Sequence, residues 1–439
     1  MIKVFESIGA QRLFEETDFI DSKNAPSETI EVNTAEEFQE IDGFGASFTD
    51  SSAFLIDKQL SEIDKKNVME KLFDRKKGIG LTMLRNPMGS SDYARFIYSY
   101  DDQKEREKDL ELKDFSITHD KESIIPLTLK AMELNPDVKL IASPWSAPGW
   151  MKDTYTMVKG KLRKEYYSIY ADYFVRFIKA YGQEGIDVYA VTPQNEPLFE
   201  PSNYPGMKML SDEQAIFVKD YLKPAFVREK LDTKIFGYDH NWDRVDYAFD
   251  ILDYARDSFD GIAWHWYGGR TISQSRVKDA YPHSEVHFTE GSGGNWIPEF
   301  EPAFSNVMRT GIEVMRNHSK SFILWNMALD ENNGPVVPGF GNSTCRGLVK
   351  INQKEKSFEF TLDYYALAHF SKFVKIGAKR IHSSQKSVIK NVVFKNVDNS
   401  IVIVLFNDSE EDRVTEINLN NSNSFTMDIK AKAAMTIVI

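Results

Sequence analysis

Cysteine is almost absent from the 439-residue sequence, which contains only Cys345. A single thiol can form neither an internal disulfide framework nor a thiolate metal cluster. A catalytic cysteine needs an electropositive setting, and the surrounding residues, GNSTCRGL, offer no supporting pattern. These observations argue against a disulfide-stabilised protein and against a cysteine-dependent hydrolase.

Histidine is also scarce, with 8 residues in the whole chain. The sequence has no H-E-x-x-H motif and no two-histidine cluster with a suitably spaced acid, the patterns from which catalytic zinc sites are commonly built. A metal-dependent hydrolase is therefore not favoured. We predict no bound metal and no cofactor.

Long apolar runs are missing, because no segment approaches the ~18 residues that span a bilayer. The N-terminal stretch MIKVFESIGAQRLFEETD lacks the apolar region of a signal peptide. We therefore expect a cytoplasmic protein without membrane insertion. The net charge of -12 repels phosphate backbones, so nucleic acid is not an expected partner. The sequence does not predict an oligomeric state.

Aromatic residues, in contrast, are plentiful at 13% of the chain. They bury large areas, and Trp and Tyr also provide flat surfaces against which sugar rings can pack. The hydrophobic share of 42% and the charged share of 27% are ordinary for a globular protein. The composition thus predicts a large core and is compatible with carbohydrate binding.

Eight short apolar runs recur through the middle of the chain, each ending on polar, Gly or Pro residues, as strands buried on both faces do. Amphipathic helical patterns lie between them, and this alternation predicts a parallel sheet with right-handed crossovers. Eight repeats over about 330 residues predict an α/β fold, a (β/α)8 TIM barrel. The runs are IDGFGASF, GLTMLRNP, KLIASPW, VYAVTPQNEP, KIFGYDHN, GIAWHWYG, EVHFTEGS and SFILWNMALD.

Both ends of the chain lack this alternation and consist of short strand-like segments separated by Asn, Asp and Ser turns. We predict that the two ends form one attached antiparallel β-sandwich. We predict that residues 1–40 form the N-terminal part of the β-sandwich, residues 41–374 the catalytic barrel and residues 375–439 the C-terminal part of the β-sandwich.

Catalytic groups of such a barrel lie at the C-terminal ends of its strands. Two of these residues are carboxylic acids that closure of the barrel can bring face to face: Glu196 after the fourth strand and Glu290 at the end of the seventh. The other strand ends supply Asp50, Arg85, Trp145, Asn195, His240, His265, Trp266, Tyr267, Trp325 and Asn326. The connection after the second strand, residues 90–120, should bring Asp92 and Tyr93 to the same end of the barrel, its mouth, where the C-terminal ends of the strands lie.

Two facing carboxyl groups among aromatic residues indicate glycoside hydrolysis, in which one carboxyl protonates the leaving oxygen and the other attacks the anomeric carbon or activates water. Arg85 would keep a nucleophilic carboxylate ionised. Asn195 would bind the sugar 2-hydroxyl. We expect Trp145, Trp266 and Trp325 to line the sugar site. Asp50 would accept hydrogen bonds from the sugar hydroxyls that lie far from the anomeric carbon.

Each of these residues also has a structural interpretation. Asp50 would serve equally well as the cap of a helix beginning at Ser51 or Ser52. His265 has the alternative of a hydrogen-bonded core histidine, and the two tryptophans Trp145 and Trp325 that of core residues. The pairing of Glu196 with Glu290 on strands four and seven is the feature that favours catalysis.

At these positions the chain resembles glycoside hydrolase family 30, and within it the glucosylceramidase-like branch, from about residue 40 to the C-terminus. The resemblance rests on GFGASFTDSSA, LRNPMGSSD, ASPWSAPGWMK, AVTPQNEP, GIAWHWY and WNMALDENNGP in this order. It implies a retaining β-glycosidase on a barrel with an attached β-sandwich. The loop after the eighth strand follows the family only loosely, so no aglycone preference is implied.

Carried over residue by residue, the resemblance implies that Glu196 is the general acid/base and Glu290 the nucleophile. It places Asp50, Trp145, Asn195 and Trp325 in the sugar subsite, Arg85 beneath the carboxylates, and His265 and Tyr267 beside the nucleophile. The expected reaction is hydrolysis of β-glucosides by double displacement, as in a glucosylceramidase-like β-glucosidase. A β-1,6-glucanase or β-xylosidase of the same family and an inactive carbohydrate-binding protein are the alternatives.

Overall fold

The computed structural model describes residues 2–9, 12–104, 107–295, 300–385, 388–421 and 423–439. In chain order its strands are β1 (Lys3–Ile8), β2 (Arg12–Thr17), β3 (Glu28–Glu40), β4 (Gly43–Ser47), β5 (Met83–Pro87), β6 (Lys139–Ser143), β7 (Val188–Val191), β8 (Lys234–Asn241), β9 (Gly261–His265), β10 (Glu285–Glu290), β11 (Ser321–Asp330), β12 (Gly347–Asn352), β13 (Ser357–Phe360), β14 (Lys379–Ser383), β15 (Ile389–Lys395), β16 (Ile401–Asn407), β17 (Arg413–Leu419), β18 (Asn423–Ile429) and β19 (Ala433–Val438).

The α-helices are α1 (Asp50–Phe54), α2 (Glu62–Phe73), α3 (Ile124–Leu134), α4 (Tyr167–Gln183), α5 (Ser211–Phe217), α6 (Lys223–Arg228), α7 (Val245–Ala255), α8 (Ile272–Ala280), α9 (Phe300–Arg316) and α10 (Leu362–Ser371). Shorter π-helical or 3-10 segments are Leu55–Gln59, Asp120–Glu122, Gly149–Met151, Lys164–Tyr166, Val218–Leu222, Trp242–Arg244 and Arg256–Ser258.

Strands β4 to β11 form a closed parallel barrel, which confirms the predicted fold. Each strand pairs with the next one in sequence, β11 pairs back with β4, and β10 and β11 meet at Phe288 and Phe322 to close the ring. The helices between the strands cover the outside. In α4, for example, Tyr170, Phe174 and Tyr181 recur at helical spacing and are buried.

A second sheet unites the two ends of the chain, as predicted. Its strand order is β18-β17-β3-β14-β15-β16-β19-β1-β2, and neighbouring strands are antiparallel except for the parallel pair β3–β17. Its strands share one hydrophobic core, which includes Val4, Ile30, Ile403 and Ile437. This sheet is the β-sandwich part of the expected architecture, built as one curled sheet.

The two parts of the molecule are joined by buried contacts around α10. His369 of this helix lies between two hydroxyl groups of the terminal sheet, with Nε2 2.8 Å from Ser7 Oγ and Nδ1 2.9 Å from Thr436 Oγ1. Burial lowers the pKa of His369 to about 3, so the ring is neutral at this joint. Among the helices of the described residues, none is long and apolar enough to cross a membrane.

The barrel interior has three layers. A central apolar layer is formed by one residue from each of six strands: Met83, Ile141, Ala190, Phe236, Ala263 and Ile323. Below it, at the N-terminal ends of the strands, lies a charged cluster that includes Asp42, Glu285 and His287. Above it, at the C-terminal ends, lies the candidate site. The packed middle layer separates the two polar layers.

Candidate active site

Arg85 is the fully buried centre of the site. Its Nη1 donates a hydrogen bond to Glu290 Oε2 at 2.8 Å, and its Nη2 donates to Asn195 Oδ1 at 2.7 Å and to Asp239 Oδ2 at 2.6 Å. A guanidinium group stays charged in proteins and presents donors in a fixed fork. Arg85 therefore fixes the positions of three side chains, two from strands β8 and β10 and one from the connection after β7.

Glu290 ends β10 and is nearly fully buried. Its second carboxylate oxygen, Oε1, accepts a hydrogen bond from the Tyr267 hydroxyl at 3.0 Å. The register of β10 against β9 shifts between Phe288 and Glu290, so a bulge at Thr289 sets the direction of the Glu290 side chain. Both oxygens of Glu290 are thus held by donors.

Glu196 lies in the connection after β7 and has a φ of 45°. The left-handed region is unfavourable for a residue with a side chain, and such conformations concentrate at functional sites. A hydrogen bond from the Glu196 amide to the Asp239 carbonyl, at 3.0 Å, holds this backbone. The Oε1 atom of Glu196 lies 3.1 Å from His265 Nδ1 and 3.7 Å from His240 Nδ1.

Asp239 connects these groups, although the residue predicted from this strand end was the neighbouring His240. In β8, Tyr238 pairs with Ala263 and His240 with Trp264, so Asp239 is the extra residue of a bulge. Its carboxylate accepts hydrogen bonds from side chains of the neighbouring strands and strand ends: Arg85, Ser143, Thr192, His265 and Thr289. Burial raises the pKa of Asp239, but Arg85 and His265 outweigh burial and hold this pKa well below its usual range.

His265 lies between two carboxylates, with Nε2 3.0 Å from Asp239 Oδ1 and Nδ1 facing Glu196. Burial lowers the pKa of His265, but Glu290 and Asp239 outweigh burial and raise this pKa to about 9. The ring is therefore an imidazolium at neutral pH and donates to both neighbours. Burial lowers the pKa of His240, which leaves that ring neutral.

The carboxyl groups of Glu196 and Glu290 titrate as a coupled pair. Burial raises the pKa of each, and repulsion by Glu196 adds to this effect at Glu290. His240 and His265 lower the pKa of Glu196 against the effect of burial. Because two adjacent carboxylates repel each other, the pair retains one proton more readily than two isolated acids would.

The rings of Trp145 and Trp325 stack on each other, with centroids 4.7 Å apart and an interplanar angle of 19°. The guanidinium carbon of Arg85 lies 5.1 Å and 5.8 Å from the two ring centroids. Trp266 is half-buried and packs against Phe288 and the backbone of Gly291. Its place in the wall of the sugar site stays a prediction.

The structure contradicts one of the two interpretations of Asp50, that of a helix cap, and leaves its expected contact with sugar hydroxyls a prediction. The cap of α1 is Thr49, whose side chain accepts a hydrogen bond from the Ser52 amide. The Asp50 carboxylate accepts hydrogen bonds from the backbone and guanidinium of Arg95 and lies 2.7 Å from His119 Nε2. Burial raises the pKa of Asp50, but His119 and Arg95 lower this pKa to about 2. Neither partner was predicted from the sequence, and both come from the connection at residues 90–120.

The polar atoms of the mouth that are buried without a hydrogen-bond partner among the described residues include Nδ2 of Asn326 and Oδ1 of Asp92. Oδ1 of Asn326 lies 3.1 Å from the hydroxyl of Thr49. Burial, together with repulsion by Glu290 and Glu196, raises the pKa of Asp92 to about 8. Asp92 therefore lies near enough to the pair to respond to its charge, as its place in the sequence suggested.

Two groups of possible metal ligands occur in the described part of the chain, and neither has suitable chemistry. In the first, Glu196, His240 and His265, the charged His265 ring has no lone pair to offer a cation. In the second, Asp42, Glu285 and His287, the carboxylates already contact lysine ammonium groups. Both groups are better explained as hydrogen-bonded charge networks.

Residues 41–374 match the model of the glycosyl hydrolase family 30 TIM-barrel domain, and residues 377–437 match that of the family 30 beta sandwich domain. The chain belongs to glycoside hydrolase family 30. The resemblance noted from the sequence motifs is thereby confirmed. As a member of this family the protein is a glycosidase that hydrolyses glycosidic bonds, and its substrate is a carbohydrate.

Among its relatives, the solved structure of the endo-beta1,6-glucanase BT3312 superposes with a TM-score of 0.90 at 31% identity, covering 100% of this chain and 99% of that one. The endo-1,6-beta-D-glucanase of Neurospora crassa is 32% identical over 359 residues, which are 80% of this chain and 73% of the relative. The lysosomal acid glucosylceramidase of Mus musculus is 27% identical over 414 residues, 87% of this chain and 78% of the relative.

Proposed function

We propose that this family 30 enzyme is an endo-acting β-1,6-glucanase that retains the anomeric configuration. The observation that carries the substrate choice is the match, over essentially the full length of both chains, with the structure of an endo-beta1,6-glucanase. This similarity supports the β-1,6-glucanase alternative better than the glucosylceramidase-like β-glucosidase that the sequence motifs favoured. The catalytic assignment rests on the contacts of Glu196, Glu290 and their neighbours.

In the first step Glu290 attacks the anomeric carbon while Glu196 gives its proton to the departing glycosidic oxygen. The carbon–oxygen bond to the leaving sugar breaks, and a covalent glycosyl-enzyme forms. Glu290 is assigned the attack because Arg85, a permanent cation, and the Tyr267 hydroxyl hold its two carboxylate oxygens in place. Glu196 is assigned the acid/base role because it occupies the acid/base position of the family motif AVTPQNEP and its Oε1 lies 3.1 Å from the protonated ring of His265.

In the second step Glu196, now a carboxylate, accepts a proton from water, and the water oxygen attacks the anomeric carbon. The bond to Glu290 breaks and the product carries its original configuration. The charged His265, 3.1 Å from Glu196, stabilises the carboxylate form in this interval. It also prevents Glu196 from holding its proton too tightly in the first step.

The sugar at the reacting position would lie against Trp145 and Trp325. Asn195 accepts a hydrogen bond from Arg85 through Oδ1, so its amide N–H groups are left to donate to the sugar 2-hydroxyl. A donor at this hydroxyl stabilises the positive charge that builds at the anomeric carbon. The Asp50–Arg95–His119 group supplies further donors at the same mouth.

The decisive substrate experiment is incubation with a linear β-1,6-glucan, followed by sizing of the products. Endo action predicts oligosaccharides of several lengths early in the reaction. An alkyl β-glucoside and an aryl β-xyloside serve as comparison substrates, and a parallel reaction contains a chelator. Efficient cleavage of the alkyl glucoside without cleavage of the glucan would contradict the substrate proposal, and loss of activity with the chelator would contradict the metal-free mechanism.

A further inference from the structure

Phe199 is an exposed aromatic residue only three positions beyond Glu196, and 46% of its surface is accessible. Its amide donates a hydrogen bond to the Glu196 carbonyl at 2.9 Å, so the two residues belong to one tight turn. A single exposed apolar residue needs no explanation by itself. Phe199, however, is the outer end of a row of rings that begins inside the active site.

The row starts at the stacked pair Trp145 and Trp325, and each further ring contacts the one before it. The centroid separations from inside to outside are 4.7 Å for Trp145–Trp325, 6.5 Å for Trp325–Tyr93, 6.3 Å for Tyr93–Phe340, 5.3 Å for Phe340–Tyr204 and 6.4 Å for Tyr204–Phe199. Trp145, Trp325 and Tyr93 are buried, Phe340 and Tyr204 are half-buried, and Phe199 presents its ring to solvent. The wall of the sugar site thus continues outward to Phe199.

The turn that carries Phe199 is anchored on both sides. The Pro197 carbonyl accepts a hydrogen bond from the Met209 amide at 2.8 Å, and Asn203 Nδ2 donates to the Phe340 carbonyl at 3.1 Å. Such anchoring reduces the conformational freedom that a ring would lose on contact with a ligand. The exposed ring is therefore supported from behind by Tyr204 and held beside Glu196.

We infer that Phe199 is the platform for the sugar on the leaving-group side of the scissile bond. This inference rests on the proposed function, in which Glu196 protonates the oxygen of that sugar. The leaving sugar must then lie on the Glu196 side of the mouth. The apolar face of a pyranose packs against an aromatic ring in the manner of other amphipathic surfaces. Phe199 would thereby help to select substrates that have a second sugar after the cleaved bond.

The test compares two substrates that share the reacting glucose and differ in the leaving group. A β-1,6-linked glucose disaccharide places a sugar ring on Phe199, whereas β-glucosyl fluoride has no ring there. For Phe199→Ala we expect kcat/KM on the disaccharide to fall about tenfold or more, with kcat/KM on the fluoride within about twofold of wild type. Phe199→Tyr should restore most of the loss, and Phe199→Leu should restore little.

Tyr254→Ala is the matched control, because Tyr254 is an exposed aromatic residue on the outer helix α7. It should leave both substrates unchanged. Equal losses on disaccharide and fluoride for Phe199→Ala would mean that Phe199 only supports the turn, and no loss on either would also overturn the inference.

A failure of the proposed substrate is distinguishable from a failure at Phe199. If the wild type cleaves another β-linked disaccharide instead, the same comparison with the fluoride is made on that substrate and tests Phe199 in the same way. If the wild type cleaves the fluoride but neither a β-linked disaccharide nor a longer β-linked gluco-oligosaccharide, no leaving-group sugar binds productively, and the inference is wrong.

Discussion

Two charged clusters lie at opposite ends of the same barrel. The floor cluster consists of Asp42, Lys139, Tyr189, Lys234, Glu285, His287 and Lys320, and the mouth cluster of Arg85, Glu196, Asp239, His265 and Glu290. On the floor, lysine ammonium groups lie within 3.0 Å of both carboxylates. At the mouth, three carboxyl groups share one guanidinium and one imidazolium. The floor is therefore saturated with cations, whereas the mouth keeps carboxyl groups that still compete for a proton.

The buried histidines of the two clusters show the consequence most clearly. Burial lowers the pKa of His287, and the neighbouring Lys320 adds to this effect, so the floor histidine is neutral. Burial also acts on His265, but the surrounding carboxylates raise its pKa to about 9. The same residue type at the same depth is neutral in one place and charged in the other. The excess of carboxyl groups, rather than burial, distinguishes the reactive end of this barrel.

The largest predicted difference between the two ends comes from two glutamates of one strand, β10. Glu290→Gln should reduce kcat by roughly a thousandfold or more, because glutamine cannot attack the anomeric carbon. Glu285→Gln at the floor should leave kcat nearly unchanged. A comparable loss of kcat in both variants would contradict the assignment.

Glu285→Gln should instead affect stability. His287 and the lysines hold the pKa of Glu285 below its ordinary value despite burial. The carboxylate therefore stabilises the folded state above its unfolded pKa, and this contribution is lost as the pH falls through the folded pKa. Unfolding measured from pH 7 down to pH 3 should show a variant that is less stable than wild type at pH 7 and approaches it at low pH.

Glu196→Ala should lose activity according to the leaving group. An activated aryl β-glucoside needs little protonation and should still form the glycosyl-enzyme, whereas a disaccharide should barely react. The second step then stalls, because no base activates water. Azide, which needs no base, should restore turnover of the aryl substrate and yield a β-glycosyl azide. Equal losses on both substrates without azide rescue would mean that Glu196 is structural.

Replacement of His265 at the mouth and of His287 on the floor should affect the pH–rate profile differently, with a smaller change in kcat than for the glutamates. His265→Gln removes a cation that lowers the pKa of Glu196. The pKa of the acid should rise, and the basic limb of the pH–rate profile should move to higher pH, with kcat about tenfold lower. His287→Gln should leave the profile in place. A shift of the basic limb in both variants, or in neither, would contradict the proposed difference between the mouth cluster and the floor cluster.

Asp92→Asn should have the smallest effect, on stability. Because the pKa of Asp92 is raised to about 8, the folded state holds a proton that the unfolded state releases near its ordinary pKa. Stability of the wild type therefore falls as the pH rises through this window. The variant should resemble wild type at about pH 4, and its advantage in stability should grow by up to about 1.4 kcal/mol per pH unit as far as about pH 8. Thermal or denaturant unfolding at both pH values measures the difference in stability between variant and wild type. A difference that does not change with pH would contradict the raised pKa of Asp92.

The sequence predicted the barrel and the position of its catalytic candidates because continuous apolar runs and strand ends are local features. Glu196 and Glu290 follow directly from that pattern. Asp239 did not, because a bulge in β8 changes which side chain faces inward, and strand alternation does not reveal a bulge. Asp50 acquired partners, Arg95 and His119, from a long connection whose path no local pattern fixes.

The contact of Trp266 with Phe288 was not predicted for a related reason. Trp266 follows His265 at the end of β9, and its packing partner comes from the neighbouring strand β10, which no local pattern reveals. The floor cluster was also not predicted from the sequence, because its members lie at the starts of different strands and only barrel closure brings them together.

The most direct test of double displacement is the anomeric form of the first product. Proton NMR during hydrolysis of a β-1,6-glucan by the wild-type enzyme observes the newly formed reducing end before mutarotation. Double displacement through Glu290 predicts that the β-anomer appears first, with the α-anomer growing in later. The α-anomer as first product would mean a single displacement by water, which requires carboxyl groups about 6.5 Å apart or more, and would contradict the assignment of Glu290 as the nucleophile.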